Sequence, residues 1–303
     1  MKIVQIGLGG ENHAQTLSDL GVLSAVFDSD FSRSKEIGQK YSVNYYDSEE
    51  QLIASEDFDG AMVGSNVSIQ TITNLLYDKK HVFLEKSLNL DSVEFQKLKE
   101  LSEKKKVVLT CGFDERFNSS IDVLRESIRQ RKFGEIVTLE FYRQSVLSDK
   151  NNGIIFDISI NDIDIANLLM GSFPVLVFAR LDYSESEKEN FASIMLGYEN
   201  KKTVIILSNG IIPDRMKKLR VVCSKEVLEL DLNTDNITIE NQKSLSVTEK
   251  RDTMKFHIEN FIEAIENKTQ LLLKPNDIFN LTKICEAALL SSKQGVPIYL
   301  DLK

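Results

Sequence analysis

Four short stretches of this 303-residue chain hold residue types whose order and spacing could do chemistry. The first is Gly7-Leu8-Gly9-Gly10-Glu11-Asn12, which follows an apolar run at Lys2–Ile6 and precedes a helical pattern from His13 to about Leu20. A turn of this type brings backbone N–H groups up to a pyrophosphate at a helix N-terminus; Gly7 permits the tight turn and Gly9 the close approach. Asp28 ends the next apolar run, Val22–Phe27, and lies 21 residues after Gly7. That is near the spacing of about 20 for a carboxylate that binds the ribose hydroxyls of a dinucleotide. Asn12 stands where the third glycine of G-x-G-x-x-G would be.

The second stretch is Glu85-Lys86-Ser87, after the apolar run His81–Leu84. Ligands of an open parallel sheet sit beyond the carboxyl ends of its strands. Lys86 is therefore placed to orient a nicotinamide carboxamide, or to stabilise an oxygen that gains charge as hydride leaves its carbon. A surface Glu-Lys pair is the competing reading. The third stretch runs from Asp157 to Asp164, where Asp157, Asn161 and Asp164 recur at i, i+4 and i+7 and so share a helical face. Ile155, Phe156, Ile158, Ile160, Ile163 and Ile165 make this helix apolar all round, so its polar groups line a cavity or satisfy one another. A substrate-facing role is favoured over a solvated stripe. The fourth is Gly112-Phe113-Asp114-Glu115-Arg116-Phe117-Asn118, where Asp114 and Arg116 contact cofactor or substrate, or bridge domains.

The elements that must position these residues fall into two patterns. Through residue 112, strand and helix patterns alternate, with helices expected at Ser32–Tyr41, Ser48–Ala54, Ser68–Lys79 and Ser92–Lys105. Such alternation implies a doubly wound parallel sheet, covered on both faces. Beyond residue 115 a helix over Asn118–Lys132 leads into short strands that alternate apolar and polar residues, as in Thr138-Leu139-Glu140-Phe141. That suits an open, mainly antiparallel sheet with one exposed face. A helix over roughly Ile154–Met170 interrupts the strands, and two amphipathic helices, Thr253–Asn267 and Asn276–Lys293, close the chain. The expected domains are a dinucleotide-binding Rossmann domain at 1–115 and an α+β substrate and oligomerisation domain at 116–303. The C-terminal helices are candidates to return to the first domain.

Bulk properties exclude several classes. Apolar content of 42% and charged content of 27% belong to a globular chain. A net charge of −9 argues against a nucleic-acid backbone or an anionic membrane as partner, and Lys104–Lys106 and Lys217-Lys218 read as solvated faces. Three scattered cysteines, Cys111, Cys223 and Cys285, lack metal spacing and suit burial in a reducing compartment. With no signal-like N-terminus and no apolar run of membrane length, the expected location is cytoplasmic. The three histidines, His13, His81 and His257, sit at positions where structural roles outnumber catalytic ones.

These stretches together resemble the glucose–fructose oxidoreductase / inositol dehydrogenase family, Gfo/Idh/MocA, along nearly the whole chain. The matching residues are Ile6–Gly10, Ala25–Asp28, His81–Lys86, Gly112–Asn118, Lys132–Ile136, Asp157 with Asp162–Asp164, and the ending from Phe261 through Glu286-Ala287-Ala288 to Ile298. The resemblance implies NAD(P)-dependent hydride transfer at a hydroxyl or carbonyl carbon of a sugar, cyclitol or related polyol. It also implies an open sheet that commonly forms homodimer or homotetramer contacts. The cofactor residues it points to are Gly7, Gly9, Gly10, Glu11, Asn12, Asp28, Ser29, Arg33, Ser65, Asn66, Glu85, Lys86 and Asp114; Lys86, Asp157 and Asn161 are the catalytic candidates. No metal is implied. Asp28 favours NAD, while Arg33, Ser29 and Ser32 leave NADP open.

The chain departs from the family pattern where chemistry is expected. Ser87 replaces the proline of Glu-Lys-Pro, and Asn161 the histidine of Asp-x-x-x-His. Ser65-Asn66-Val67-Ser68-Ile69-Gln70 lacks the proline and histidine of Thr-Pro-x-x-x-His. An asparagine does not titrate near neutral pH, so Lys86, aided by Asp157, is left as the proton-handling group. The alternative is a protein that binds the nucleotide, has lost hydride chemistry, and acts as a sensor or binding partner.

Overall fold

The computed structural model describes residues 1–9, 11–86, 90–147, 151–183, 187–239, 244, 245, 247 and 250–302, without the side chains of Glu11 and Asn200. The chain divides into two compact units: Met1–Phe113 with Thr253–Phe279, and Asp114–Asp252 with Asn280–Lys303.

In the first unit, strands β1 (Ile3–Ile6), β2 (Leu23–Phe27), β3 (Asn44–Tyr46), β4 (Gly60–Val63), β5 (His81–Leu84) and β6 (Leu109–Cys111) alternate with helices α1 (Glu11–Asp19), α2 (Phe31–Tyr41), α3 (Glu49–Ser55), α4 (Ile69–Tyr77) and α5 (Ser92–Lys105). The sheet order is β3-β2-β1-β4-β5-β6, and each described pairing is parallel. Strand order reverses between β1 and β4, the crevice where such sheets bind ligands. Short apolar runs make the inner strands: all four residues of β1 and of β4 are buried, as a sheet covered on both faces requires. Capping side chains start the helices. Asp30, Ser48 and Ser68 accept bonds from the first turns of α2, α3 and α4, and Asp91 with Glu94 forms a capping box on α5. Helix α8 (Thr253–Ile265) belongs to this unit, where Ile258 and Phe261 join Ile3, Leu17, Met62 and Phe83 in one buried cluster.

In the second unit, β7 (Ile136–Gln144), β8 (Leu176–Asp182), β9 (Phe191–Gly197), β10 (Thr203–Asn209), β11 (Met216–Cys223), β12 (Val227–Asp231), β13 (Asn236–Ile239) and β14 (Ile298–Tyr299) form a sheet in the order β13-β12-β11-β7-β10-β9-β8-β14. Every pairing is antiparallel except β7 with β10. Burial alternates along β9 and β10, so one face packs inward and the other stays open. Helix α6 (Ser119–Arg129) precedes β7. Helix α9 (Pro275–Gln294) ends in this unit, where Ser291 and Ser292 accept bonds from the β8 backbone at Ala179 and Leu181.

One expected element takes a different form. The helix expected over Ile154–Met170 begins as a π turn, Ile155–Ser159, and becomes α-helical only from Ile160 to Met170 (α7). A π turn closes i→i+5 bonds, one residue more than an α turn, at the entry to the helix that carries Asn161 and Asp164. Ser87 lies outside the described residues.

Candidate active site

The glycine turn of the first unit is held by bonds that spacing alone does not reveal. Gly7 has φ +79°, a conformation that other residues rarely adopt, and its N–H donates to Phe27 O at 2.8 Å. A Cβ on Gly7 would lie 2.6 Å from Asn66 Oδ1, and one on Gly64 would lie 2.6 Å from Gly7 O. The loops after β1 and β4 therefore approach each other backbone to backbone. Asp28 is 6% exposed. Its Oδ2 accepts from Leu8 N at 2.6 Å and its Oδ1 from Asp30 N at 3.0 Å, while its own N–H donates to Ser34 Oγ at 2.7 Å. The acid expected to meet a ribose thus also fastens the glycine turn to the start of α2.

Gly9 makes room for Glu85, since a Cβ there would overlap the carboxylate. Glu85 lies buried at the end of β5, accepts from Ser65 N at 3.3 Å through Oε2, and places Oε1 at 3.1 Å from His13 Nδ1. This carboxylate joins the ends of β4 and β5 to α1. His13 is thereby placed against Glu85, a partner its position in the sequence did not indicate. Lys86 is half-buried in the turn that follows β5. Asn12, Ser29, Ser65 and Asn66 are exposed around the carboxyl edge of the sheet, and Arg33 is half-buried on α2. Glu11 opens α1; Gly10 lies outside the described residues. His81 accepts a bond from Val108 N at 2.9 Å, and burial lowers its pKa. His257 is fully buried, with its ring 4.7 Å from that of Phe83.

A dinucleotide fits this edge. The glycine turn leads into the α1 N-terminus, and Asp28 stands at the end of β2. Gly9 and Glu11 would hold the pyrophosphate through their backbone N–H groups, and Asp28 the adenosine ribose.

In the second unit the polar residues of the π turn and α7 mostly satisfy one another or nearby arginines. Arg143 on β7 is 4% exposed; its Nε donates to both oxygens of Asp162 at 3.0 Å, and its Nη2 bonds Asp162 as well. Its Nη1 lies 2.8 Å from Glu115 Oε2, and Lys217 Nζ lies 2.6 Å from Glu115 Oε1. Burial by itself would raise the Glu115 carboxyl, but Arg143 and Lys217 outweigh it and hold the group at about 2. Burial pushes Asp162 up, with Arg143 pulling against it. Arg116, a candidate ligand contact or domain bridge by its sequence position, pairs with Asp164 at 2.8 Å inside this unit. Lys217, expected on a solvated face, is half-buried and pairs with Glu115 at the margin of this network.

Asp157 accepts from Asn152 N at 3.1 Å, and Asn161 Nδ2 donates to Ile158 O at 3.3 Å. Asp114 opens a 3-10 turn, Asp114–Phe117, half-buried. Asp157, Asn161 and Asp164 are engaged by the Asn152 N–H, the Ile158 carbonyl and Arg116 respectively. A signal for Arg143 was present in the sequence: it follows Leu139 and Phe141 in the inward phase of an alternating strand, where a cation needs a buried anion. Among the described residues no group of three His, Cys, Asp or Glu side chains could hold a metal, and no helix is long and apolar enough to cross a membrane. The three cysteines are unbridged and buried.

A sheet ordered 3-2-1-4-5-6 with a glycine turn, a helix N-terminus and an acid at the end of the second strand defines a dinucleotide-binding module. Residues 1–113 match the Gfo/Idh/MocA oxidoreductase family's NAD-binding Rossmann fold, and residues 121–229 match a C-terminal domain of the same family. The chain belongs to the Gfo/Idh/MocA family of NAD-binding oxidoreductases. It is similar to a UDP-N-acetylglucosamine 3-dehydrogenase of Acidithiobacillus ferrooxidans, 23% identical over 277 residues that cover 87% of each chain. It is also similar to a myo-inositol 2-dehydrogenase of Thermotoga maritima, 30% identical over 192 residues, 59% of this chain and 58% of that one. A solved structure of the Acidithiobacillus enzyme superposes with a TM-score of 0.85 at 21% identity, covering 97% of this chain and 98% of that one. An Agrobacterium radiobacter oxidoreductase solved with NAD+ and L-tartaric acid gives 0.87 at 16% identity, covering 99% and 98%. At such identities the structures establish the shared fold.

Proposed function

We propose that the protein transfers hydride between NAD and a hydroxyl or carbonyl carbon of a sugar, cyclitol or related polyol. The observation that carries this reading is the glycine turn pinned to Asp28 at the carboxyl edge of the first sheet, with Lys86 following β5 on the same edge. The substrate class follows the relatives, which are named for a nucleotide sugar and for myo-inositol. When bound, the nicotinamide supplies a two-electron acceptor or donor. Lys86 handles the hydroxyl proton or polarises the oxygen, Asp157 orients the substrate, and Asn161 contributes a neutral hydrogen bond. Asp28 favours NAD over NADP by repelling a 2′-phosphate, with Arg33 and Ser29 as the groups that would tolerate one.

Incubation with NAD and a panel of polyols tests the reading. Nicotinamide reduction is expected with at least one of them, and Lys86→Ala is expected to lower kcat by on the order of a hundredfold or more with cofactor affinity retained. A specific observation favours a second reading, a nucleotide-binding sensor without turnover. The histidine position holds Asn161, whose amide bonds its own helix, and Asp162 and Asp164 are engaged by arginines. Tight NAD binding with no turnover on any panel member would select it.

The open face of the second sheet, where Val137 is 51% exposed on β7, supports a homodimer or homotetramer, which sedimentation will measure. Three buried free cysteines fit a reducing cytoplasm.

A further inference from the structure

The glycine turn that would receive a diphosphate already has a carboxylate against it. Glu85, at the end of β5, is 8% exposed, and a Cβ on Gly9 would overlap its carboxylate. Its Oε2 takes a long bond of 3.3 Å from Ser65 N. Oε1 and His13 Nδ1 lie 3.1 Å apart; both are enclosed, and among the described residues neither has a hydrogen-bond partner elsewhere. The imidazole is 16% exposed, and its outer nitrogen, Nε2, is not enclosed. His13 stands in the first turn of α1, the helix that the glycine turn enters.

Like charges repel more strongly in a buried setting than in water. A bare carboxylate beside the turn therefore opposes the pyrophosphate that backbone N–H groups would hold there. An imidazole set between two anions removes the conflict, because each ring nitrogen can donate to one of them. The helix dipole disfavours a cation in a first turn unless anions flank it. Here Glu85 is one such anion and the cofactor supplies the other. A carboxylate that holds one ring nitrogen also fixes the orientation of the other, as it does for histidines that meet a ligand.

We propose that His13 is a cofactor-binding residue: Glu85 holds the ring through Nδ1, and Nε2 donates to a phosphate oxygen of the dinucleotide. Glu85 is then a positioning residue that acts through His13. This role rests on the dinucleotide reading of the first unit and needs no turnover.

Calorimetry on the full chain with ADP-ribose, which carries the diphosphate and lacks the nicotinamide, tests the contact. His13→Ala and His13→Asn are both expected to weaken ADP-ribose binding on the order of tenfold or more, the loss of a hydrogen bond to a charged group. The asparagine keeps a donor where Nδ1 stood, toward Glu85, and places nothing at Nε2. Wild-type affinity in His13→Asn, with a loss in His13→Ala, would mean that His13 only steadies Glu85, and overturns the contact. Imidazole nitrogen NMR reads the same contact in the unaltered chain. The His13 Nε2 resonance, assigned by its absence in His13→Asn, is expected to shift when ADP-ribose is added and to stay in place with adenosine. No shift, or an equal shift with adenosine, overturns the contact. In Glu85→Leu the shift is expected to shrink as the ring loses its hold, and a full shift there overturns the positioning role. A wild-type chain that takes up no ADP-ribose overturns the dinucleotide reading along with the contact.

Discussion

The two units bury carboxylates in different ways. In the first, Asp28 and Glu85 are met by backbone N–H groups of Leu8, Asp30 and Ser65, with His13 as an added neighbour. In the second, Asp162, Asp164 and Glu115 are met by Arg143, Arg116 and Lys217. The difference follows from where the acids sit. Asp28 and Glu85 lie at strand ends beside turns, where backbone donors have no partner in a ladder. Asp162 and Asp164 lie inside a helix beneath a sheet, where backbone donors are already used and only side chains remain. Glu189 is a third case, a buried carboxylate set against the backbone of Gly153 and Ile155, and burial raises it above the ordinary glutamate range.

The largest test of that contrast is Arg143→Met. It strands the buried Asp162 without its cation and leaves Glu115 with Lys217 alone, which is expected to cost about 3–5 kcal/mol in denaturant unfolding. The double variant Arg143→Met with Asp162→Leu is expected to recover much of the loss, because an apolar pair needs no counter-ion. If the single variant unfolds at the wild-type denaturant midpoint, the network is not structural.

Gly9→Ala acts on the other unit. A methyl group there displaces Glu85, so NAD affinity measured by calorimetry is expected to fall on the order of tenfold or more, with little change in the second unit's hydrogen-exchange protection. Unchanged affinity would separate Glu85 from the nucleotide turn.

The smallest expected effect is a pH dependence. Glu115 is depressed from 4.5 to about 2 in the folded protein, so its contribution is fully present above 4.5 and is lost as pH falls from there toward about 2. Unfolding midpoints measured across that window are expected to decline, and Glu115→Gln is expected to flatten the decline. Equal slopes in both proteins would show that the Arg143–Glu115–Lys217 contacts do not carry the linkage.

Local features were legible in the residues. The glycine turn, the strand that follows it and the acid at its end record a contiguous stretch, and the capping box Asp91/Glu94 starts α5 at the expected residue. The alternation in β9 and β10 likewise announced a sheet with one open face. Less was legible at the candidate site. The spacing of Asp157, Asn161 and Asp164 assumed α-helical geometry, and a π turn differs from it only by a shift in bonding partner that periodicity does not record.

What the sequence by itself determined is the class of each unit, because side-chain periodicity and turn residues act over a few positions along the chain. Which acid meets which cation was decided only by the tertiary structure. Arg143 reaches Asp162 and Glu115, and Glu189 reaches Gly153, across long separations set by β7 and by the entry to β9. A charge far along the chain stabilises a carboxylate only once folding removes the water between them, and no local pattern encodes that approach.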